Sequence, residues 1–176
     1  MKVVVLAGGL SPEREVSLSS GSLIANALME RGHRVLLLDV YEGMPELPAD
    51  PDALFRSDGA YRYTIREEVP DLAAPKARVG IGDALVGKNV PELCRMADRV
   101  FLALHGAMGE NGQLQAFLDS YGIGYTGSDY IGCLLAMDKD LSKRLFRDAG
   151  VPTPDWMYAD TGKDPSESVL ARVGLP

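Results

Sequence analysis

The sequence predicts an α/β domain built around a small, Rossmann-like parallel sheet. Three short apolar runs carry this prediction: "KVVVLA" (2–7), "RVLLLDV" (34–40) and "DRVFLALHG" (98–106). Continuous apolar runs of this length are typical of strands buried on both faces of a parallel sheet. Because helical patterns separate these runs, the expected architecture is βαβ…βαβ.

The first βαβ unit is complete within 40 residues. Gly8 and Gly9 end the first predicted strand, and apolar residues then recur at helical spacing from Val16. Gly32 marks the end of this helix, because glycine tolerates the left-handed conformation that commonly follows a helix.

Residues 41–98 predict a long, partly ordered insertion. Residues 41–90 are rich in proline, glycine and charge and contain only short apolar runs. We expect a hairpin around "YRYTI" (61–65), and a short helix at "VPELCRMA" (90–97) before the third strand. A connection of this length is typically functional or mobile, but here we favour surface elaboration.

Helices dominate the sequence after the third strand. A helix is predicted over 112–122, followed by a short strand and turn at 123–128 and by one or two helices over 129–150. "WMYA" (156–159) suggests a further strand, and 164–176 an amphipathic helix. We therefore expect a first domain over 1–128 and the start of a second over 129–176.

Composition excludes several classes of protein. The net charge of −7 argues against non-specific binding to nucleic acid or to anionic membranes. No uncharged run approaches the ~20 residues of a membrane span. The two cysteines, Cys94 and Cys133, lack CxxC spacing, and we expect two reduced core thiols in a cytoplasmic protein.

Two glycine-rich loops are predicted at one edge of the sheet. The first strand ends at "GGLSPERE" (8–15) and the third at "HGAMGENG" (105–112). Ligands of parallel α/β sheets bind beyond the carboxyl ends of the strands, so the functional surface is expected where these loops meet.

The first loop does not match a dinucleotide-binding turn. The G-x-G-x-x-G pattern fails at its third glycine, and Glu13 and Glu15 would repel phosphate. Asp39 is a weak match for a ribose-binding acid. The two glutamates either stabilise the positive end of the helix or place one carboxylate at the rim to bind a cationic group such as an amine.

The second loop and a later helix supply further candidates. His105 directly follows a strand and precedes three glycines, a pattern that favours a functional role at the rim. Glu110 is a cap or supports the loop. In "AMDKDLSK" (136–143), Asp138 is a predicted helix cap, and the early basic residues Lys139 and Lys143 indicate an anionic partner for at least one of them, with solvation as the alternative.

Three segments together resemble the D-alanine–D-alanine ligase family of the ATP-grasp superfamily. They are "VVLAGGLSPEREVSLSSG" (4–21), "ALHGAMGENGQLQAFLDSYGIGYTGSD" (103–129) and "AMDKDLSKRLFRDAGVPTP" (136–154), in the order of the family. Members use ATP and Mg²⁺ to join two D-alanines for peptidoglycan precursors. One D-alanine carboxylate is phosphorylated, and the amine of the second attacks the acyl phosphate.

The resemblance implies a role for five residues. Glu13 would orient the ammonium of the first D-alanine, and Val16 would line its pocket. His105 would stand near the substrate carboxylate, and Glu110 would hold that loop in place. Lys139 would lie at the ATP phosphate or adenine site, and no metal ligand is expected in this chain.

The resemblance also implies a partial site. Family members are about twice as long, and their second half carries the magnesium acids and the arginine for the second substrate. We therefore expect an N-terminal, pre-ATP-grasp domain with the first helices of an incomplete ATP-grasp domain, inactive alone and homodimeric. A D-alanine–D-serine or D-alanine–D-lactate ligase and a non-catalytic nucleotide-binding or dimerisation module are the alternatives.

Overall fold

The computed structural model describes residues 1–66, 68, 70–160, 162–164 and 166–173, and among them is a three-stranded parallel sheet. The strands are β1 (Lys2–Ala7), β2 (Arg34–Asp39) and β3 (Arg99–Leu102). Their order across the sheet is β2-β1-β3. The three strands predicted from the apolar runs are thereby confirmed, whereas the short strand expected at 123–128 is reduced to an isolated bridge between Tyr125 and Val100. The third ends at Leu102, before the predicted end at His105.

Helices connect and follow these strands. They are α1 (Arg14–Glu30), α2 (Ala73–Val79), α3 (Val90–Arg95), α4 (Gln113–Ser120), α5 (Tyr130–Met137), α6 (Lys139–Asp148) and α7 (Ser166–Val173). Short 3₁₀ helices occupy Pro51–Leu54 and Ala107–Gly109. As predicted, Gly32 follows α1 with a positive φ of 81°.

The two faces of the sheet are buried in separate clusters. On β1, Val4 and Leu6 belong to a cluster that includes residues of α3 and α4, whereas Val3 and Val5 belong to one that includes residues of α1. Alternate side chains of a strand point to opposite faces, so β1 is covered on both sides. This accounts for its continuous apolar run.

The insertion differs from its prediction in two respects. It contains helix α2, which was not predicted, and residues 61–65 form no hairpin. Instead, Arg56 exchanges backbone hydrogen bonds of 2.7 and 3.0 Å with Val35, and Tyr61 Oη donates to the Val35 carbonyl at 3.0 Å. These contacts lie along the outer strand β2. The insertion therefore protects a sheet edge that would otherwise expose unpaired backbone groups.

The chain divides into two compact units, Met1–Cys133 and Leu134–Pro176. In the second unit, Asp138 caps α6 as predicted, because its Oδ1 accepts a 2.9 Å hydrogen bond from Leu141 N. The strand expected at 156–159 is absent from this part of the described chain. Trp156 instead donates from Nε1 to Asp140 Oδ1 at 2.7 Å and lies against Arg147.

The two cysteines are free, and they differ in burial. Cys94 is buried as predicted, and burial, with a smaller contribution from Glu92, raises the pKa of its thiol to about 12. Cys133 is only half-buried, so the expectation of two core thiols is wrong for this residue. Within the described ranges, no helix is both long enough and apolar enough to span a membrane.

Candidate functional site

The two glycine-rich loops meet at the carboxyl end of the sheet, as the sequence predicts. Ser11 Oγ in the first loop donates a 2.9 Å hydrogen bond to the carbonyl of His105 in the second. The carboxylate of Glu13 lies against Gly106, where a Cβ would come within 2.6 Å of Glu13 Oε2. We call Ser11, Glu13, Ser20, His105 and Gly106 the rim cluster.

Gly8 of the first loop makes room for a carboxylate of the protein itself. Gly8 and Gly9 have positive φ angles of 73° and 77°. A Cβ at Gly8 would lie 2.0 Å from Asp39 Oδ2, so only glycine fits beside this side chain. Asp39 Oδ1 accepts from the backbone N–H of Tyr41 at 2.9 Å and of Glu42 at 3.1 Å.

Arg14 completes this arrangement from the start of α1. Its guanidinium is buried and donates to the Gly9 carbonyl at 2.8 Å. It also pairs with Asp39 Oδ2 and with Glu42 Oε1, both at 2.6 Å. Asp39 is therefore committed to an internal ion pair. A ribose-binding role for Asp39, for which its position is a weak match, has no support in this geometry.

The two acids of the first loop take different positions. Glu13 is the N-cap residue of α1, with an exposed side chain that makes no capping hydrogen bond. Glu15 is buried and accepts from Arg66 N at 2.8 Å and from Arg66 Nε at 2.7 Å. The backbone hydrogen bond from Arg66, followed by its side chain, lowers the pKa of Glu15. Glu15 thus anchors the insertion, whereas Glu13 remains available at the rim.

One face of α1 contributes side chains to the candidate site. Glu13, Val16 and Ser20 are spaced three and four residues apart, which places them on one side of the helix. Val16 is 43% exposed. Ser20 Oγ lies 3.3 Å from Nε2 of the half-buried His105. The predicted residues Glu13, Val16 and His105 therefore come together around one helix.

Ser17, one turn before Ser20, joins the strand ends beneath this face. Its buried Oγ donates to the Ala103 carbonyl at 2.8 Å and accepts from Gly8 N at 2.9 Å. Ser11, Ser17 and Ser20 were not among the predicted site residues. Ser20 shares the helical spacing of Glu13 and Val16, which was the available signal, but serine is too frequent near helix starts for that signal to be specific. Ser11, which precedes α1, and Ser17, which faces the sheet, gave no such signal.

The other two predicted residues are placed differently. Glu110 is exposed at the end of the short helix Ala107–Gly109, and its carboxylate makes no hydrogen bond or ion pair with the described residues. Gln115 Nε2 instead holds this loop by donating to the Gly109 carbonyl at 2.8 Å. Lys139 is exposed at the start of α6 in the second unit and donates to the Ala136 carbonyl at 2.9 Å.

Comparison with known proteins decides the family. The profile of the family described as D-ala D-ala ligase N-terminus matches residues 2–128. The chain belongs to this family. The matched region contains both glycine-rich loops and the whole insertion.

Individual relatives agree with this family. The D-alanine–D-alanine ligase of Pediococcus pentosaceus is 40% identical over 94% of this chain and 48% of its own length. The corresponding enzyme of Lacticaseibacillus casei is 36% identical over 96% of this chain and 48% of its own length. The chain therefore spans about half the length of the curated relatives it matches.

Solved structures of the family agree with this family assignment. The Bacillus anthracis D-alanine–D-alanine ligase complexed with ATP superposes with a TM-score of 0.62 at 27% identity, over 100% of this chain and 45% of the ligase. The Coxiella burnetii D-alanine–D-alanine ligase superposes with a TM-score of 0.62 at 27% identity. The superposition covers 98% of this chain and 48% of the ligase. The predicted α/β fold class is thus confirmed by structure as well as by sequence.

Proposed function

We propose that this chain supplies the first-substrate part of an ATP-dependent D-alanine–D-alanine ligase. The observation that carries the proposal is the separation of the two acids of the first loop. Arg66 neutralises Glu15, whereas Glu13 stands exposed beside His105 and Gly106. Within the rim cluster, Glu13 therefore offers a carboxylate that is unpaired among the described residues, which suits the ammonium group of an amino acid.

The chemistry of the substrate fits the other members of the rim cluster. With its ammonium at Glu13, D-alanine would present its carboxylate towards His105, whose imidazole N–H is a suitable donor. Val16 would contact the methyl side chain. In the ligation, this carboxylate accepts the γ-phosphoryl group of ATP, and the amine of a second D-alanine displaces phosphate to form the peptide bond.

Groups for ATP and Mg²⁺ are sparse in this chain. Lys139 is the residue we assign to the nucleotide, and its exposed ammonium suits a phosphate. In the part of the chain that the structure describes, no three His, Cys, Asp or Glu residues are grouped as a metal site. As the family resemblance implies, we assign the Mg²⁺ ligands to the second half that family members carry. The chain alone is expected to be inactive.

Homodimerisation and a cytoplasmic location complete the proposal. Leu23 of α1 is 69% exposed, and it is the side chain that we choose to test as a contact for a second copy. Light scattering on the purified chain tests this part. A dimer that Leu23→Glu converts to a monomer would support it, and a wild-type monomer at all concentrations would refute it.

Substitution of Glu13 in the ligase that contains this chain tests the main proposal. Glu13→Gln keeps the shape of the side chain but removes the charge that meets the ammonium. Loss of a charged hydrogen bond is worth about 1.5–3 kcal/mol, or roughly a ten- to a hundred-fold loss in use of the first D-alanine. Glu30→Gln, exposed in the last turn of the same helix, is the matched control. Unchanged first-site kinetics in Glu13→Gln would refute the assignment.

A second substitution separates function from folding at the histidine. His105→Ala should impair ligation without lowering the thermal midpoint, because the ring is half-buried and the loop backbone is held through its carbonyl. A loss of stability that accounts for the loss of activity would instead show that His105 is structural.

A further inference from the structure

Ser20 is placed to control the imidazole of His105. Ser20 Oγ lies 3.3 Å from His105 Nε2. Among the described residues, this ring nitrogen is the one hydrogen-bond partner of the Ser20 hydroxyl. The nearby helical serine Ser22 donates instead to the Leu18 carbonyl four residues earlier, at 2.8 Å. Because Ser20 makes no such bond within α1, its proton is free to be donated to the ring.

The framework around this contact fixes its geometry from both sides. The His105 backbone is held by the hydrogen bond from Ser11 Oγ to its carbonyl. Helix α1 is held close to the sheet at Gly21, where a Cβ would come within 2.8 Å of Ala7 Cβ. Ser17 adds its two hydrogen bonds to Gly8 and Ala103. The Ser20 hydroxyl is thus carried on a helix face with little freedom to move away from the ring.

We propose that Ser20 is a positioning residue that donates its hydroxyl proton to His105 Nε2 and so holds the neutral ring as the Nδ1–H tautomer. A hydrogen bond to one ring nitrogen decides which nitrogen carries the proton. With Nε2 accepting from Ser20, the ring keeps a single N–H donor at Nδ1. Free histidine favours the opposite tautomer, so the contact has a measurable consequence.

The consequence for substrate binding rests on the proposed function. A carboxylate accepts hydrogen bonds and cannot donate them when ionised. A ring whose proton is fixed at Nδ1 offers that carboxylate a donor in one defined position. A ring free to exchange tautomers and to rotate would offer it only part of the time. Ser20 would therefore contribute to the affinity for the first substrate without touching it.

Nitrogen-15 NMR of the 176-residue chain tests the tautomer without reference to activity. Protonated and bare ring nitrogens resonate in well-separated ranges, and the chain contains only two histidines, so His33→Gln assigns the signals. At about pH 9, where histidine is neutral, we expect a protonated Nδ1 and a bare Nε2 at His105. A predominantly protonated Nε2 in the wild-type chain would overturn the proposal, whatever any variant does.

Variants of the α1 serines complete this test. Ser20→Ala should shift His105 towards the Nε2–H tautomer, and Ser20→Thr, which keeps the hydroxyl, should restore Nδ1–H. Ser19→Ala, its neighbour on α1, should leave the spectrum unchanged. An Nδ1–H ring that persists in a folded Ser20→Ala chain would also overturn the proposal.

Kinetics of the ligase that contains this chain test the functional consequence. Ser20→Ala should raise the Michaelis constant for the first D-alanine by about two- to tenfold, the range for one neutral hydrogen bond, with little change in kcat. Ser20→Thr should recover most of this loss. A tautomer that responds to Ser20 while the first-site kinetics do not would support the ring assignment and refute the proposed role of His105 in substrate binding.

Discussion

The carboxylate of Glu13 occupies the space beside Gly106 that a side chain at that position would need. A Cβ on Gly106 would come within 2.6 Å of Glu13 Oε2, and Gly106 has φ 66° and ψ 179°. This backbone conformation is essentially restricted to glycine. Two features therefore require glycine at position 106. One is its backbone conformation, and the other is the position of the Glu13 carboxylate, to which we assign binding of the substrate ammonium.

Gly106→Ala should damage binding more than stability. The conformation costs about 1–3 kcal/mol for alanine, and the methyl group must displace the Glu13 carboxylate. We expect a higher Michaelis constant for the first D-alanine in addition to a modest loss of stability. Gly32→Ala is the control, since Gly32 also has a positive φ but nothing lies within 4 Å of its Cβ position. Equal kinetic effects of the two substitutions would contradict the contact as the cause.

Arg14→Ala should destabilise the fold. Arg14 is buried and pairs with Asp39, whose carboxylate would remain with little access to solvent. Breaking a buried pair by removing one partner costs about 3–5 kcal/mol. Urea unfolding measures the effect, with the exposed Arg31→Ala as the matched control. A decrease of less than about 1 kcal/mol in the free energy of unfolding would show that water or another cation replaces the guanidinium.

Glu15→Gln should release the insertion rather than alter substrate binding directly. Glu15 accepts from both the backbone and the side chain of Arg66, and a neutral amide loses the ionic part of these contacts. Trypsin should then cleave faster after Arg62 and Arg66, as measured by mass spectrometry of timed digests. Glu30→Gln should leave the cleavage pattern unchanged. Unaltered cleavage in Glu15→Gln would mean that the insertion is held elsewhere.

The same ion pair predicts a dependence of stability on pH. Arg66 lowers the pKa of Glu15 below its ordinary value of 4.5. A group with a lowered pKa in the folded state stabilises the fold above its unfolded pKa, and this contribution is lost as pH falls through the folded pKa. The thermal midpoints of wild type and Glu15→Gln should therefore differ at pH 7 and approach one another as the pH falls below 4.5. A constant difference across this range would exclude Glu15 as the source.

The sequence by itself determined the elements that depend on local pattern. The three apolar runs predicted the strands of the sheet, and Gly32 predicted the end of α1, because periodicity and backbone conformation act over a few residues. The order of the strands around β1 then brought the loops after β1 and β3 together, as parallel topology requires. Glu13 and His105 were predicted to share a rim for this reason.

Only the tertiary structure distinguished between the roles of similar side chains. Glu13 and Glu15 differ by two positions and have the same chemistry, yet Arg66, 51 residues after Glu15, neutralises one and leaves the other free. Likewise, the partner of Asp39 is Arg14, and the partner of the His105 ring is Ser20, 85 residues earlier. Such pairings depend on the close packing of distant segments, and a pattern that repeats every few residues carries no information about them.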